Sequence, residues 1–143
     1  MATLRAKVKE KLKRSPLVWR VLYWIRDRWI FLIAFFSQEY RERVYRVYFE
    51  RGNQGLCENK LEEAIACYEC AIALQPDSAA AYFFRGTARS SLGQLDDAIA
   101  DYQQAIALEP HWAVPYLDLG NLLMQRENVE EALKNYNQAI VLQ

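Results

Sequence analysis

The stretch Tyr82–Pro110, YFFRGTARSSLGQLDDAIADYQQAIALEP, decides the fold, because moving it 34 residues in either direction lays it on a copy of itself. Tyr82, Gly86, Ala98, Tyr102, Ala105 and Pro110 have upstream counterparts in Tyr48, Gly52, Ala64, Tyr68, Ala71 and Pro76. Downstream, Tyr116, Gly120, Ala132, Tyr136 and Ala139 repeat the pattern. Tyr82 and Gly86 are i, i+4, so a ring and a bare backbone share one face of a first helix, where the glycine leaves room for a close neighbour. Ala98, Tyr102 and Ala105 run i, i+4, i+7, a small-large-small stripe that lets a second helix sit tightly on the first. Gly93 and Gln94 mark the turn between them. Pro110 ends the second helix, since it lacks a donor and restricts Glu109 before it. One such unit cannot bury both its faces, so stability has to come from stacking against its neighbours.

A 34-residue period with aromatic, Gly, Ala, aromatic, Ala and Pro at these offsets resembles the tetratricopeptide repeat, a pair of antiparallel helices per unit. The resemblance covers about residues 45–143. It implies an all-α fold, a right-handed α-solenoid of three helix-turn-helix units at about 45–78, 79–112 and 113–143, preceded by one or two N-terminal helices. Residues 1–37 would then form a basic, Trp-rich amphipathic region and residues 38–143 the repeat domain. The resemblance further implies a non-catalytic scaffold whose client, a peptide or protein helix, lies on the concave surface built by the first helices. Helical periodicity combined with the family's packing puts Arg46, Phe49, Asn53, Ala80, Phe83, Thr87, Ser90, Val114, Leu117, Asn121 and Met124 on that surface. Phe83 and Leu117 are expected to border one apolar pocket, with Asn53, Thr87 and Asn121 offering hydrogen bonds to a client backbone. A clamp for a C-terminal carboxylate is not expected, because it needs Lys, Asn and Arg where this chain has Phe49, Phe84, Val114 and Asp118; only Asn53 agrees. Arg51 and Arg85 depart from the large apolar residue found at Leu119.

With 52% hydrophobic and 25% charged residues, the 143-residue chain has the composition of an ordinary globular domain. Its net charge of zero conceals a division. Residues 1–51 carry 13 Lys or Arg against five acids, and residues 52–143 carry five against 13. Cys57, Cys67 and Cys70 are too few and too clustered for a disulfide framework. Cys67 and Cys70 form a C-x-x-C inside a helical pattern with no second pair, which reads as buried or half-buried thiols and not as a metal or redox centre. That usage fits a cytoplasmic or other reducing compartment.

The basic half begins with MATLRAKVKEKLKR, in which Arg5, Lys7, Lys9, Lys11, Lys13 and Arg14 surround a narrow seam of Leu4, Val8 and Leu12. Ser15 and Pro16 form a helix start. From Leu17 to Phe36, Val18, Val21, Leu22, Ile25, Trp29, Leu32, Ile33 and Phe36 follow helical spacing and predict an amphipathic helix. Arg20, Arg26, Asp27 and Arg28 each cost about 2.5–3.5 kcal/mol near a bilayer centre, so the segment is not expected to span a membrane. Nor does it resemble a secretory signal, since the apolar part starts too far from Met1 and no small-x-small site follows. Two uses remain for it: peripheral contact with an anionic membrane through the basic run together with Trp19, Leu22, Ile25 and Trp29, or an intramolecular cap on the repeats. Homo-oligomerisation is a third way to cover its apolar stripe. Ser37 is expected to cap the next helix, and Asp77-Ser78 to cap the first helix of the second repeat.

Catalytic parts are scarce. A single histidine, His111, supplies no triad or multi-His metal site, and no phosphate loop or nucleophile elbow is present. The pairs Glu62-Glu63, Asp96-Asp97 and Glu130-Glu131 suggest acid/base chemistry only in isolation; they recur with the repeat in the first turn of each second helix, where carboxylates favour the positive dipole end. No enzyme activity, cofactor, metal or nucleic-acid partner is expected. The expected role is a protein-interaction scaffold, as an assembly factor or adaptor at a membrane surface or, alternatively, as a soluble peptide-binding or self-associating module whose N-terminal helix is an intramolecular cap.

Overall fold

The computed structural model of the chain describes the backbone of residues 16–143 and the side chains of residues 37–143. The described residues form six helices and no strand: α1 (Pro16–Cys57), α2 (Leu61–Leu74), α3 (Ala79–Ser91), α4 (Leu95–Leu108), α5 (Ala113–Gln125) and α6 (Val129–Val141). Two units are distinguished, Met1–Tyr40 and Arg41–Gln143, and the second contains the repeats. Ser37 does not cap a helix. It lies inside α1, because no glycine or proline interrupts the sequence between Pro16 and Gly52.

The six helices make three consecutive pairs, α1 with α2, α3 with α4 and α5 with α6, each joined by a turn of the same geometry. Its left-handed residue is Asn59 (φ 57), Gly93 (φ 78) and Glu127 (φ 61) in the successive repeats, as the Gly93-Gln94 turn predicts. Ser78 caps α3 by accepting a hydrogen bond from the Ala81 amide at 3.2 Å, and its Oγ lies 2.6 Å from the Tyr45 hydroxyl. α2 and α4 stop one residue before Gln75-Pro76 and Glu109-Pro110 respectively. Each acidic pair falls in the first turn of its second helix.

The repeated glycine and tyrosine meet. A Cβ at Gly52, Gly86 or Gly120 would lie 2.7, 2.9 or 2.7 Å from a ring carbon of Tyr68, Tyr102 or Tyr136, so glycine is what allows each second helix to lay its tyrosine on the first. Around this contact the repeats are sealed by aromatic groups. Phe84 of α3 packs against Phe49 (5.7 Å between centroids) and Tyr68 (6.1 Å), while Phe83 packs against Tyr102 (5.6 Å) and Trp112 (4.8 Å). Leu119, Leu122 and Leu123 of α5 complete the core with Ala98, Ala105 and Ala132.

Arg85, which departs from the apolar pattern, has a partner. Its Nε and Nη2 donate to Asp101 Oδ2 and Oδ1 at 3.0 and 2.6 Å, and Arg89 Nη1 donates to Asp101 Oδ2 at 2.8 Å. Asp101 is 3% exposed, so two guanidiniums neutralise one buried carboxylate between α3 and α4. Burial alone would lower the pKa of Arg85, but the hydrogen bond and the charge of Asp101 outweigh it and leave it raised.

Candidate protein-binding face

The Tyr-on-Gly packing fixes one side chain per repeat on the first helices. The Tyr68 hydroxyl donates to Asn53 Oδ1 at 2.7 Å, and the Tyr136 hydroxyl to Asn121 Oδ1 at 2.8 Å. In the middle repeat the Tyr102 hydroxyl reaches Thr87 Oγ1 at 3.4 Å, while Thr87 donates to the Phe83 carbonyl at 3.1 Å. Asn53 and Asn121 thus have their carbonyl oxygens engaged, and their side-chain N–H groups make no hydrogen bond among the described residues. Thr87 spends its proton on its own helix. Burial raises the pKa of Tyr68 and Tyr102, so both hydroxyls keep their protons at neutral pH; for Tyr102 the Thr87 bond acts in the opposite sense, and Asp118 and Asp101 add to the rise.

Along α5, Val114 (44% exposed), Leu117 (43%), Asn121 and Met124 (43%) form an exposed row at i, i+3, i+7, i+10. Arg46 is exposed and Phe49 half-buried on α1, and Ala80, Thr87 and Ser90 are half-buried on α3. Phe83 requires a correction. At 7% exposure it belongs to the core, because Trp112 from the following junction covers its ring, and helical periodicity carries no signal of that distant cover. The cleft found at this place is therefore displaced to the junction: an open space of about 560 Å³ lined by Ala80, Leu108, Glu109, Pro110, His111 and Trp112. Helical spacing does not mark His111 or Trp112 as lining residues; a tryptophan just beyond the helix-ending proline is the available signal.

Asp118 is half-buried on α5, and burial holds its carboxyl above the ordinary carboxylate range. Of the thiols, Cys57 and Cys70 are exposed and Cys67 is half-buried. Burial raises the pKa of Cys67 despite the opposing charge of Arg51. Arg5, Lys7, Lys9, Lys11, Lys13 and Arg14 lie outside the described residues, and for Trp19, Leu22, Ile25 and Trp29 the helical backbone alone is described. Among the described residues no helix is long and apolar enough to cross a membrane.

The family signature described as Tetratricopeptide repeat matches residues 56–116 and again residues 113–143. Together with the Gly-Tyr packing in each unit, it makes the chain a tetratricopeptide repeat protein, an all-α solenoid of the class that serves as protein-interaction scaffolds. Among solved structures, the chain is similar to the crystal structure of MamA, at 26% identity and a TM-score of 0.67, covering 68% of this chain and 57% of that one. It thus spans little more than half the length of MamA. It is similar also to the first TPR of Spaghetti (RPAP3) bound to the HSP90 peptide SRMEEVD, at 27% identity and a TM-score of 0.69, covering 71% of this chain and 80% of that one. The Arabidopsis OM64 TPR domain shares the fold at 24% identity and a TM-score of 0.70, over 72% of this chain and 85% of its own. No curated protein matches the sequence.

Proposed function

We propose that the first-helix face holds a peptide or protein helix by an apolar and amide-lined contact. The exposed row Val114, Leu117 and Met124, with Asn121 presenting its amide between them, carries this reading. Similarity to the Spaghetti domain, whose solved complex contains an HSP90 peptide, supports peptide holding as the mode. The chemistry differs from acidic-tail capture: Phe49 and Phe84 pack edge-to-face in the aromatic seal, and Val114 and Asp118 supply no cation. Replacing Leu117 and Met124 together by glutamate in the full chain should reduce client capture at least about tenfold while the circular dichroism spectrum is retained, since both are exposed. Undiminished capture would place recognition elsewhere.

Six Lys or Arg between Arg5 and Arg14, followed by the amphipathic sequence Leu17–Phe36, support an adaptor or assembly factor held peripherally on an anionic membrane, in a reducing compartment. Glutamate at Leu22 and Ile25 should abolish salt-resistant flotation with anionic liposomes, and alanine at Lys7, Lys9, Lys11 and Lys13 should reduce flotation most at low salt. No flotation of the wild-type chain removes the membrane reading. A second reading, a soluble self-associating module, is favoured by the exposed Val129, Leu133, Ile140 and Val141 on α6. Light scattering of a Leu133→Glu, Ile140→Glu variant decides it: loss of a concentration-dependent oligomer supports self-association through α6, and a wild-type monomer rejects it.

A further inference from the structure

We infer that the first-helix face contains a cation subsite at Asp118, so that the segment it holds presents a lysine or arginine there. The inference rests on the reading of that face as a client-binding surface and names the charge of the client. Asp118 lies one turn from both Val114 and Asn121 on α5, beside the exposed row already described. It is half-buried and makes no hydrogen bond or ion pair among the described residues. The molecule's other sequestered acid is treated differently: Asp101 is answered by both Arg85 and Arg89. A carboxylate that is partly withdrawn from water and gains no partner is less well stabilised than a free one, and a cation reaching its still accessible oxygens offsets that loss.

The repeat shows what occupies the same place elsewhere. One unit earlier Phe84 stands at this offset, and its ring closes against Phe49 and Tyr68. The counterparts of those two, one unit on, are Phe83 and Tyr102, and Asp118 acts electrostatically on the Tyr102 hydroxyl. An aromatic plug in one junction is thus a carboxylate in the next, which leaves the second junction polar at its surface. A lysine or arginine stem can lie along Val114 and Leu117 while its charged end meets Asp118, and the exposed Asn121, whose N–H groups are unengaged among the described residues, can bind an adjacent carbonyl of the client. The excess of 13 acids over five bases in residues 52–143 favours the approach of such a segment.

The test is selection from a displayed library of random dodecapeptides on the full chain, run in parallel with Asp118→Asn, Asp118→Lys and the Leu117→Glu, Met124→Glu variant. Peptides that bind the wild type and lose the double-glutamate variant should be enriched in Lys and Arg. Their affinity should fall about tenfold in Asp118→Asn, the order expected for a partly exposed charge pair, and Asp118→Lys should select acidic peptides in their place. Thermal melts of Asp118→Asn at or above the wild type exclude a folding defect. Face-directed binders without basic enrichment, or with affinity unchanged in Asp118→Asn, overturn the cation subsite and leave the face intact. Absence of any binder sensitive to the double-glutamate change overturns the reading of the face, and the subsite with it.

Discussion

Where the third repeat places Leu119 and Leu123 on its first helix, the second places Arg85 and Arg89 at the same offsets, and Asn135 of the third stands where the second has Asp101. Both solutions hold the tyrosine against the glycine and both close the helix pair. The leucines do so by excluding water. The arginines do so by sharing one carboxylate, with Arg89 also 3.5 Å from Glu69 of the preceding repeat. The repeat therefore constrains geometry more than chemistry at a given offset. It also concentrates vulnerability, since the charged solution fails when one member is removed and the apolar one degrades gradually.

The largest effect should follow from Asp101→Ala, which strands two guanidiniums that are mostly buried and should cost about 3–5 kcal/mol in chemical denaturation. A cost below that of an ordinary surface change would mean the cluster is solvated and the comparison is wrong. Giving the second repeat the chemistry of the third, as Arg85→Leu with Arg89→Leu and Asp101→Asn, should restore the loss and leave the protein between neutral and about 1–4 kcal/mol more stable than wild type. The turns offer a smaller contrast. Gly93 adopts a positive φ that Glu127 must adopt with a side chain, so Glu127→Gly should stabilise by about 1 kcal/mol, whereas Gly93→Glu should destabilise by a similar amount.

The smallest effect concerns Asp118. Its carboxyl is raised by burial, so the native state binds the proton more tightly than the unfolded chain does, and ionised Asp118 subtracts from stability at neutral pH. That penalty disappears as pH falls through the raised value. Asp118→Asn should therefore melt slightly above wild type at neutral pH, with the gap closing in acid. A gap that widened in acid would assign Asp118 a stabilising ion pair.

Much of this arrangement was legible in the sequence because it is local or periodic. The Gly-Tyr contact follows from a spacing repeated three times, and the Gly93 turn, the Ser78 cap and the proline stops are short-range signals. What escaped was set by partners distant in the chain. Arg85 looked like a departure until Asp101, 16 residues away, supplied its reason. Phe83 looked like a surface anchor because helix periodicity gives direction without depth, and Trp112 supplies the depth. Ser37 resembled a cap by residue type, but no breaker stood beside it. On the candidate face, periodicity found the α5 row; it carried no sign that tyrosine hydroxyls would orient Asn53 and Asn121.

Methyl NMR of the full chain titrated with a peptide that it binds tests the central claim most directly, because Leu117 and Met124 report on the first-helix face and Leu133 and Ile140 on the exposed face of α6. Saturable shifts are expected at Leu117 and Met124, with Leu133 and Ile140 unmoved. Shifts confined to Leu133 and Ile140, with Leu117 and Met124 unchanged, would contradict it.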